Sequence, residues 1–109
     1  MQESYLSFGN LKHFERKGYL RDLLRLAEAA SQSRGIGDAW SFHLVARGQI
    51  DVFVDAYTAF WDIAALTVIV QEAGGKVTDI EGRPVDPNSS SVIATNRLLH
   101  PFVLENFRK

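Results

Sequence analysis

The sequence predicts a small layered α/β domain in which helices pack on a mixed β-sheet. The first observation is that segments with helical periodicity and segments with strand periodicity follow one another in the order β-α-α-β-α-β-β-α. The second is that hydrophobic residues make up 46% of the 109 residues, which is the composition of a chain with a real core. We therefore expect one domain over positions 1–109, with about four or five strands.

The first third of the chain is predicted to hold one strand and one amphipathic helix. Residues 3–8 alternate weakly, as a strand does, and Gly9-Asn10 follows as a turn. Leucines and alanines recur at helical spacing over 19–31, and 33–37 is predicted to be a loop. The basic residues of 12–25 are interleaved with acids, which indicates a solvated surface.

Asp38 is predicted to cap a second helix that continues to Arg47, with Trp40 on its core side. Residues 50–55 are rich in β-branched residues and alternate, with Ile50, Val52 and Val54 expected on one face. These patterns predict a helix followed by a strand.

The most apolar segment, 62–73, is predicted to be a helix buried on most of its sides. Strands are expected at 77–80 and 91–95, and a closing helix at 98–107 has Pro101 in its first turn.

Composition and charge exclude several classes of function. Twelve basic and 13 acidic residues give a net charge of −1 without a basic stripe, so we expect no nucleic-acid partner. The absence of cysteine excludes disulfides and thiol nucleophiles. No apolar run approaches the roughly 18 residues of a membrane helix, and no signal sequence is recognisable, so we expect no membrane partner and a cytoplasmic location.

Asp62 stands at the start of the apolar helix, where two roles are open to it. A carboxylate there can accept backbone N–H groups and interacts favourably with the helix dipole, which is a purely structural role. The same position holds a carboxylate rigidly beside N–H groups that attract phosphate, so an oxygen ligand, Mg²⁺ and a phosphate can meet there. The pattern alone leaves both roles open.

Three stretches resemble one known family. The run Trp61-Asp62-Ile63-Ala64-Ala65, followed by Glu72-Ala73-Gly74-Gly75, resembles the second signature of the inositol monophosphatase family. Residues 37–48 and 91–96 are similar to the helix and the final strand that flank this signature. Residues 34–40, Arg-Gly-Ile-Gly-Asp-Ala-Trp, resemble the histidinol-phosphate phosphatase branch.

The resemblance implies the fold of the family's C-terminal subdomain and hydrolysis of a small phosphorylated alcohol with Mg²⁺. It implies that Asp62 is a metal ligand and that Asp38 and Asp55 lie near the leaving alcohol. Histidinol phosphate is the favoured substrate, because an acid at position 38 suits a cationic amine or imidazole, and inositol monophosphate is next. The substrate-binding set that we expect is Asp38, Asp55, Arg34, Gly37 and Ala39.

Plainer interpretations stay open for two of these residues. Asp55 is equally explained as an exposed acid at a strand end, and Arg34 as a surface arginine in a loop. His13, His43 and His100 are too scattered in the sequence to indicate a metal site.

The family's other metal ligands lie in an N-terminal half, in a G-x-x-E motif and a D-P-[IL]-D-G-T motif, and neither occurs here. One carboxylate cannot satisfy Mg²⁺, so we expect the ion to be shared with a missing N-terminal domain and the 109 residues alone to be inactive. Family members are often homodimers, which implies a homo-oligomer. The alternative is a non-catalytic truncated domain whose open apolar face makes it a binding or assembly module.

Overall fold

The computed structural model describes residues 1–36 and 38–108, with side chains in the third helix described from position 40 onward. The described elements are, in chain order, β1 (Tyr5–Phe8), α1 (Leu11–Lys17), α2 (Leu20–Ala29), β2 (Gln32–Arg34), α3 (Asp38–Ala46), β3 (Val52–Asp55), α4 (Phe60–Glu72), β4 (Lys76–Thr78), β5 (Val92–Thr95) and α5 (His100–Phe107). The predicted layered α/β fold with a mixed sheet is confirmed.

The five strands form one sheet in the order β2-β1-β3-β5-β4. β1 is parallel to both of its neighbours, β2 and β3, whereas β5 is antiparallel to β3 and to β4. The carboxyl ends of three parallel strands, β2, β1 and β3, therefore lie side by side at one end of the sheet. In α/β sheets ligands bind outside these carboxyl ends, in particular where the connections after two neighbouring strands lead to opposite faces of the sheet. This occurs at β1, which leads to α1 and α2 over one core, whereas β2 and β3 lead to α3 and α4 over the other.

Helices cover both faces of the sheet. One core lies under α1, α2 and α5, and it includes Phe14, Leu26 and Phe107. The other lies under α3 and α4, and it includes Phe42 and Ile63. Because strand side chains alternate between faces, β3 contributes to both cores.

The prediction that Ile50, Val52 and Val54 share one face was wrong. Val52 and Val54 pack in the first core and Ile50 in the second. Ile50 precedes the strand, which begins at Val52, so strand alternation does not extend to it.

Two short elements were missed in the sequence. α1 buries only Phe14, so it lacks the repeated apolar spacing that predicts a helix, and it is fixed instead by Asn10, whose side chain accepts a hydrogen bond from Lys12 N at 2.9 Å. β2 consists of three exposed residues at the sheet edge and owes its conformation to pairing with β1. Local patterns do not reveal either element.

Helix α4 is not buried on most of its sides, contrary to the prediction. Ile63, Thr67 and Val70 are buried, whereas Trp61 is 81% exposed and Val68 is 54% exposed. Trp40 on the neighbouring helix α3 is 59% exposed, so it is not a core residue either. We call the outward apolar residues Trp40, Trp61, Val68 and Ile69 the α3/α4 surface.

A buried histidine ties α5 to two strands. His100 is fully buried, and its Nε2 lies 2.8 Å from Thr78 Oγ1, while its Nδ1 lies 2.9 Å from Thr95 Oγ1. Thr78 donates its hydroxyl proton to the carbonyl of Asp79, so the Nε2–H donates to Thr78 and Nδ1 accepts from Thr95. The network assigns a neutral ring, and burial, with the nearby charges of Lys76 and Arg97, lowers the pKa of His100 to about 4.

This histidine makes stability depend on pH in a defined direction. Its pKa is about 4 in the folded chain and 6.5 as the ordinary value, so the unfolded state binds more protons between these values. We expect the free energy of unfolding to rise with pH from about 4 to about 6.5, with a contribution from His100 of about 3 kcal/mol. Urea denaturation at a series of pH values, on the parent chain and on His100→Gln, measures this contribution as the difference between the two slopes. Equal slopes would show that His100 is not the responsible group.

Candidate active site at the carboxyl ends of the parallel strands

Asp55 is the last residue of β3, and its carboxylate is turned inward. The residue is only 4% exposed, so the interpretation as an exposed strand-end acid was wrong. Its Oδ1 accepts a hydrogen bond from Tyr57 N at 3.3 Å and lies 3.3 Å from His13 Nδ1. A carboxylate this deeply buried is tolerated because donors surround it.

Gly9, directly after β1, makes room for this carboxylate. Its backbone N–H donates to the carbonyl of Val54 at 3.0 Å, which brings the ends of β1 and β3 together. A Cβ on Gly9 would overlap the carboxylate of Asp55 and would lie 2.6 Å from Oδ1, the more distant of the two oxygens. Only glycine lets the two chains approach this closely.

The Asp55 carboxylate lines a cavity of about 340 Å³ at the carboxyl ends of the parallel strands. The lining residues are Phe8, Gly9, Asn10, His13, Gly35, Ile36 and Asp55. They come from the end of β1 and the start of α1, the end of β3 and the segment after β2, so the parallel topology assembles them from distant parts of the sequence. The volume is in the range of small-molecule sites.

The segment that carries the predicted substrate contacts lies partly at this cavity. Ile36 lines it, and the carbonyl of Ile36 accepts a hydrogen bond from Ser41 Oγ, which also lies 2.9 Å from Ser7 Oγ in β1. Gly37 and the side chains of Asp38 and Ala39 lie outside the described residues, so their predicted roles stay predictions.

Arg34 stands apart from the cavity lining. It is exposed at the edge strand β2, and its Nε donates to the hydroxyl of Tyr5 at 2.9 Å. A contact between Arg34 and substrate also stays a prediction.

Asp62 lies in the first turn of α4, two residues after the helix begins at Phe60. The N-cap position is occupied by Ala59, so Asp62 is not the cap, although its charge is favourable at this end of the helix. The residue is exposed, which leaves its carboxylate accessible to a cation.

The chemistry of Asp62 suits Mg²⁺, but the number of ligands does not. Among residues 1–36 and 38–108, no cluster of three or more His, Cys, Asp or Glu side chains could hold a metal ion. Mg²⁺ requires about six oxygens in octahedral geometry, and one carboxylate supplies few of them. The described part of the chain therefore does not form a complete Mg²⁺ site.

His13 and Tyr57 are functional candidates that sequence reasoning missed. The rings of His13 and Tyr57 meet edge to face, with 5.3 Å between centroids, and Lys17 Nζ lies 5.4 Å from the Tyr57 centroid. His13 also lines a second cavity of about 360 Å³, together with Arg16, Lys17 and Tyr57. Prediction of helix α1 could have identified His13, because the first turns of this helix place His13 beside Asp55.

Comparison with known proteins defines the class. A sequence model of the inositol monophosphatase family matches residues 5–109. The chain therefore belongs to the inositol monophosphatase family, a family of phosphatases, and the resemblance read from Trp61-Asp62 and Glu72–Gly75 is confirmed.

The chain is 36% identical over 104 residues to a histidinol-phosphatase of Mycobacterium tuberculosis, an alignment that covers 95% of this chain and 40% of that protein. It is 36% identical over 93 residues to an inositol-1-monophosphatase of Caulobacter vibrioides, covering 83% of this chain and 36% of that protein. The chain thus spans about two fifths of the length of these relatives.

Solved structures of related proteins have the same fold as this chain. An IMPase of Thermotoga maritima superposes with a TM-score of 0.85 at 32% identity, covering 98% of this chain and 41% of that one. The suhB protein of Bartonella henselae gives a TM-score of 0.88 at 28% identity, covering 99% and 42%. The predicted subdomain fold is confirmed.

Across the described ranges, no helix combines the length and the apolar character needed to cross a membrane. The cytoplasmic location and the homo-oligomeric state expected from the sequence stay predictions.

Substitution of Gly9 tests the packing of the site. We expect Gly9→Ala to lower the free energy of unfolding by about 1–3 kcal/mol, because the added methyl group must displace the Asp55 carboxylate from its donors. In an Asp55→Ala background the same substitution should cost much less, and chemical denaturation of the four variants gives the coupling between the two positions.

Gly35→Ala is the matched control, since the nearest atoms to its Cβ would belong to the ring of Phe8, at 3.3 Å, and not to Asp55. Equal costs of Gly9→Ala in the two backgrounds would contradict the proposed contact.

Proposed function

We propose that this chain is part of a Mg²⁺-dependent phosphatase that hydrolyses the phosphate monoester of a small alcohol, and that it supplies the cavity for the leaving alcohol. The observation that carries the proposal is the buried carboxylate of Asp55 in a cavity at the carboxyl ends of three parallel strands. Membership of the inositol monophosphatase family supports the reaction class.

Phosphoryl transfer requires positioning and charge stabilisation more than covalent chemistry by the protein. Asp55 would accept hydrogen bonds from the leaving alcohol and hold it in place, while Gly9 and Ile36 close the wall of the cavity around it. Asp62 would provide one carboxylate ligand for the metal ion. When bound, such an ion stabilises the negative charge that develops on the phosphoryl and leaving oxygens.

The other metal ligands would come from a region outside these 109 residues. Two observations support a docked region. The chain spans 40% of the M. tuberculosis relative, and the α3/α4 surface is apolar and exposed, with Trp61 81% and Ile69 49% accessible. Large exposed apolar side chains grouped on two adjacent helices are typical of a covered interface. The occupant that we propose is the remaining part of the family fold.

Among substrates, histidinol phosphate is favoured and inositol monophosphate is next. The histidinol-phosphatases of M. tuberculosis and Streptomyces coelicolor both align over 95% of this chain, whereas the inositol-1-monophosphatase of C. vibrioides aligns over 83%. A buried carboxylate also suits the cationic amine of histidinol better than a neutral polyol. We further propose a cytoplasmic enzyme that forms homo-oligomers.

A fusion protein tests the proposal. The part of the M. tuberculosis histidinol-phosphatase that this chain does not span is joined ahead of it, and phosphate release is measured with histidinol phosphate and Mg²⁺. We expect the fusion to be active and the 109 residues alone to be inactive. Asp62→Asn should lower kcat/KM by about 100-fold or more and raise the Mg²⁺ requirement, because a ligand is lost.

Glu72→Gln removes an exposed carboxylate at the opposite end of the same helix and should leave turnover unchanged. A fusion that folds but releases no phosphate would contradict the enzyme and favour a binding or assembly module. An active fusion in which Asp62→Asn has no effect would remove Asp62 from the metal site.

A further inference from the structure

We infer that His13 is a positioning residue that orients the buried Asp55 carboxylate, and that it thereby makes the cavity selective for alcohols bearing a cationic amine. The inference rests on the proposed function, because it places the leaving alcohol beside Asp55. It adds to that proposal the residue that holds Asp55 in place for the amine.

The geometry between the two side chains fixes their hydrogen bond. His13 Nδ1 lies 3.3 Å from Asp55 Oδ1, and the side chains are 27% and 6% exposed. An ionised carboxylate only accepts hydrogen bonds, so Nδ1 carries the proton and donates. Tyr57 N donates to the same oxygen, so the two donors hold the carboxylate in one orientation.

Burial makes this donor important for the orientation of the carboxylate. Asp55 is 4% exposed, and a carboxylate removed from water is costly unless hydrogen bonds replace its hydration. Without the His13 donor, the side chain of Asp55 would turn toward other donors or toward water. The side-chain donor from α1 therefore decides how the carboxylate faces the leaving alcohol.

Two cations lie on the other side of His13. Asp55 and Tyr57 contact the ring, and Arg16 and Lys17 line the adjoining cavity. Lys17 is held there by the Tyr57 ring and by Ser90 Oγ, to which its Nζ donates at 3.0 Å. Arg16 and Lys17 disfavour a further positive charge in the cavity that they line. An incoming amine is therefore directed to the cavity of Asp55.

Direct binding of the free alcohols tests the inference without metal or turnover. Histidinol and 3-(imidazol-4-yl)propan-1-ol, which differ only in the amine, are titrated into the 109-residue chain, and NMR shifts give both Kd values. We expect the parent chain to bind histidinol about tenfold or more tightly than the amine-free alcohol, as a charge-assisted hydrogen bond implies. His13→Leu should abolish most of this ratio, and His13→Gln, which retains an N–H donor, should restore most of it.

Two further variants complete the design. Lys12→Leu introduces the same apolar residue one position earlier on the exposed side of α1 and should leave the ratio unchanged. His13→Lys places a fixed cation beside Asp55 and should also abolish the ratio, which keeps the test decisive if His13→Leu fails to fold.

A parent chain without amine preference, or a preference that survives both His13→Leu and His13→Lys, would overturn the inference. Because these titrations need no phosphate release, an inactive fusion protein would contradict the phosphatase proposal while leaving the role of His13 to be decided by the Kd ratio.

Discussion

The close approach of the Asp55 carboxylate to the α-carbon of Gly9 is the constraint on which the candidate site depends. The two residues follow neighbouring parallel strands, and the hydrogen bond from Gly9 N to the carbonyl of Val54 fixes their distance. Because of this contact, the Asp55 carboxylate is buried at the end of β3 and does not face solvent. The cavity, the position of helix α1 and the contact with His13 all follow from it, because α1 begins directly after Gly9-Asn10.

On the proposed function, the chain would separate the two tasks of a phosphoryl-transfer site. The cavity proposed for the leaving alcohol lies within the described residues, at three strand ends and the start of α1. A complete metal site does not, since Asp62, exposed at the start of α4, belongs to no described cluster of three or more His, Cys, Asp or Glu side chains. The same helix exposes Trp61, Val68 and Ile69, so the incomplete metal site and the uncovered apolar surface occur on one element. A single docked region would complete both.

Strong periodicity and a specific motif were enough to predict much of the molecule. The spacing of leucines predicted α2, the apolar run predicted α4, and Trp61-Asp62 with Glu72–Gly75 identified the family. Asp55 was selected by the resemblance to the family, with an exposed acid at a strand end as the alternative. The burial of Asp55 could not be predicted from the sequence, because it depends on Gly9, which is 46 positions away. The two residues come together only through the register of β1 against β3.

Weak local signals account for the errors. α1 has one buried residue and β2 has none, so tertiary contacts rather than periodicity define them. His13 was set aside because the three histidines are scattered in the sequence, and its contact with Asp55, 42 residues away, is formed only by the fold. The apolar character of α4 was predicted correctly. A sequence pattern shows which residues avoid water but not which neighbour covers them, so Val68 and Ile69 were expected to be buried within this chain.

A crystal structure of the fusion protein with Mg²⁺, histidinol and inorganic phosphate would test the central claim most directly. We expect the amine of histidinol to lie within hydrogen-bond distance of Asp55, in the cavity between Gly9 and Ile36, and a Mg²⁺ ion to be coordinated by Asp62. Histidinol bound away from that cavity, or an ion without contact to Asp62, would contradict it.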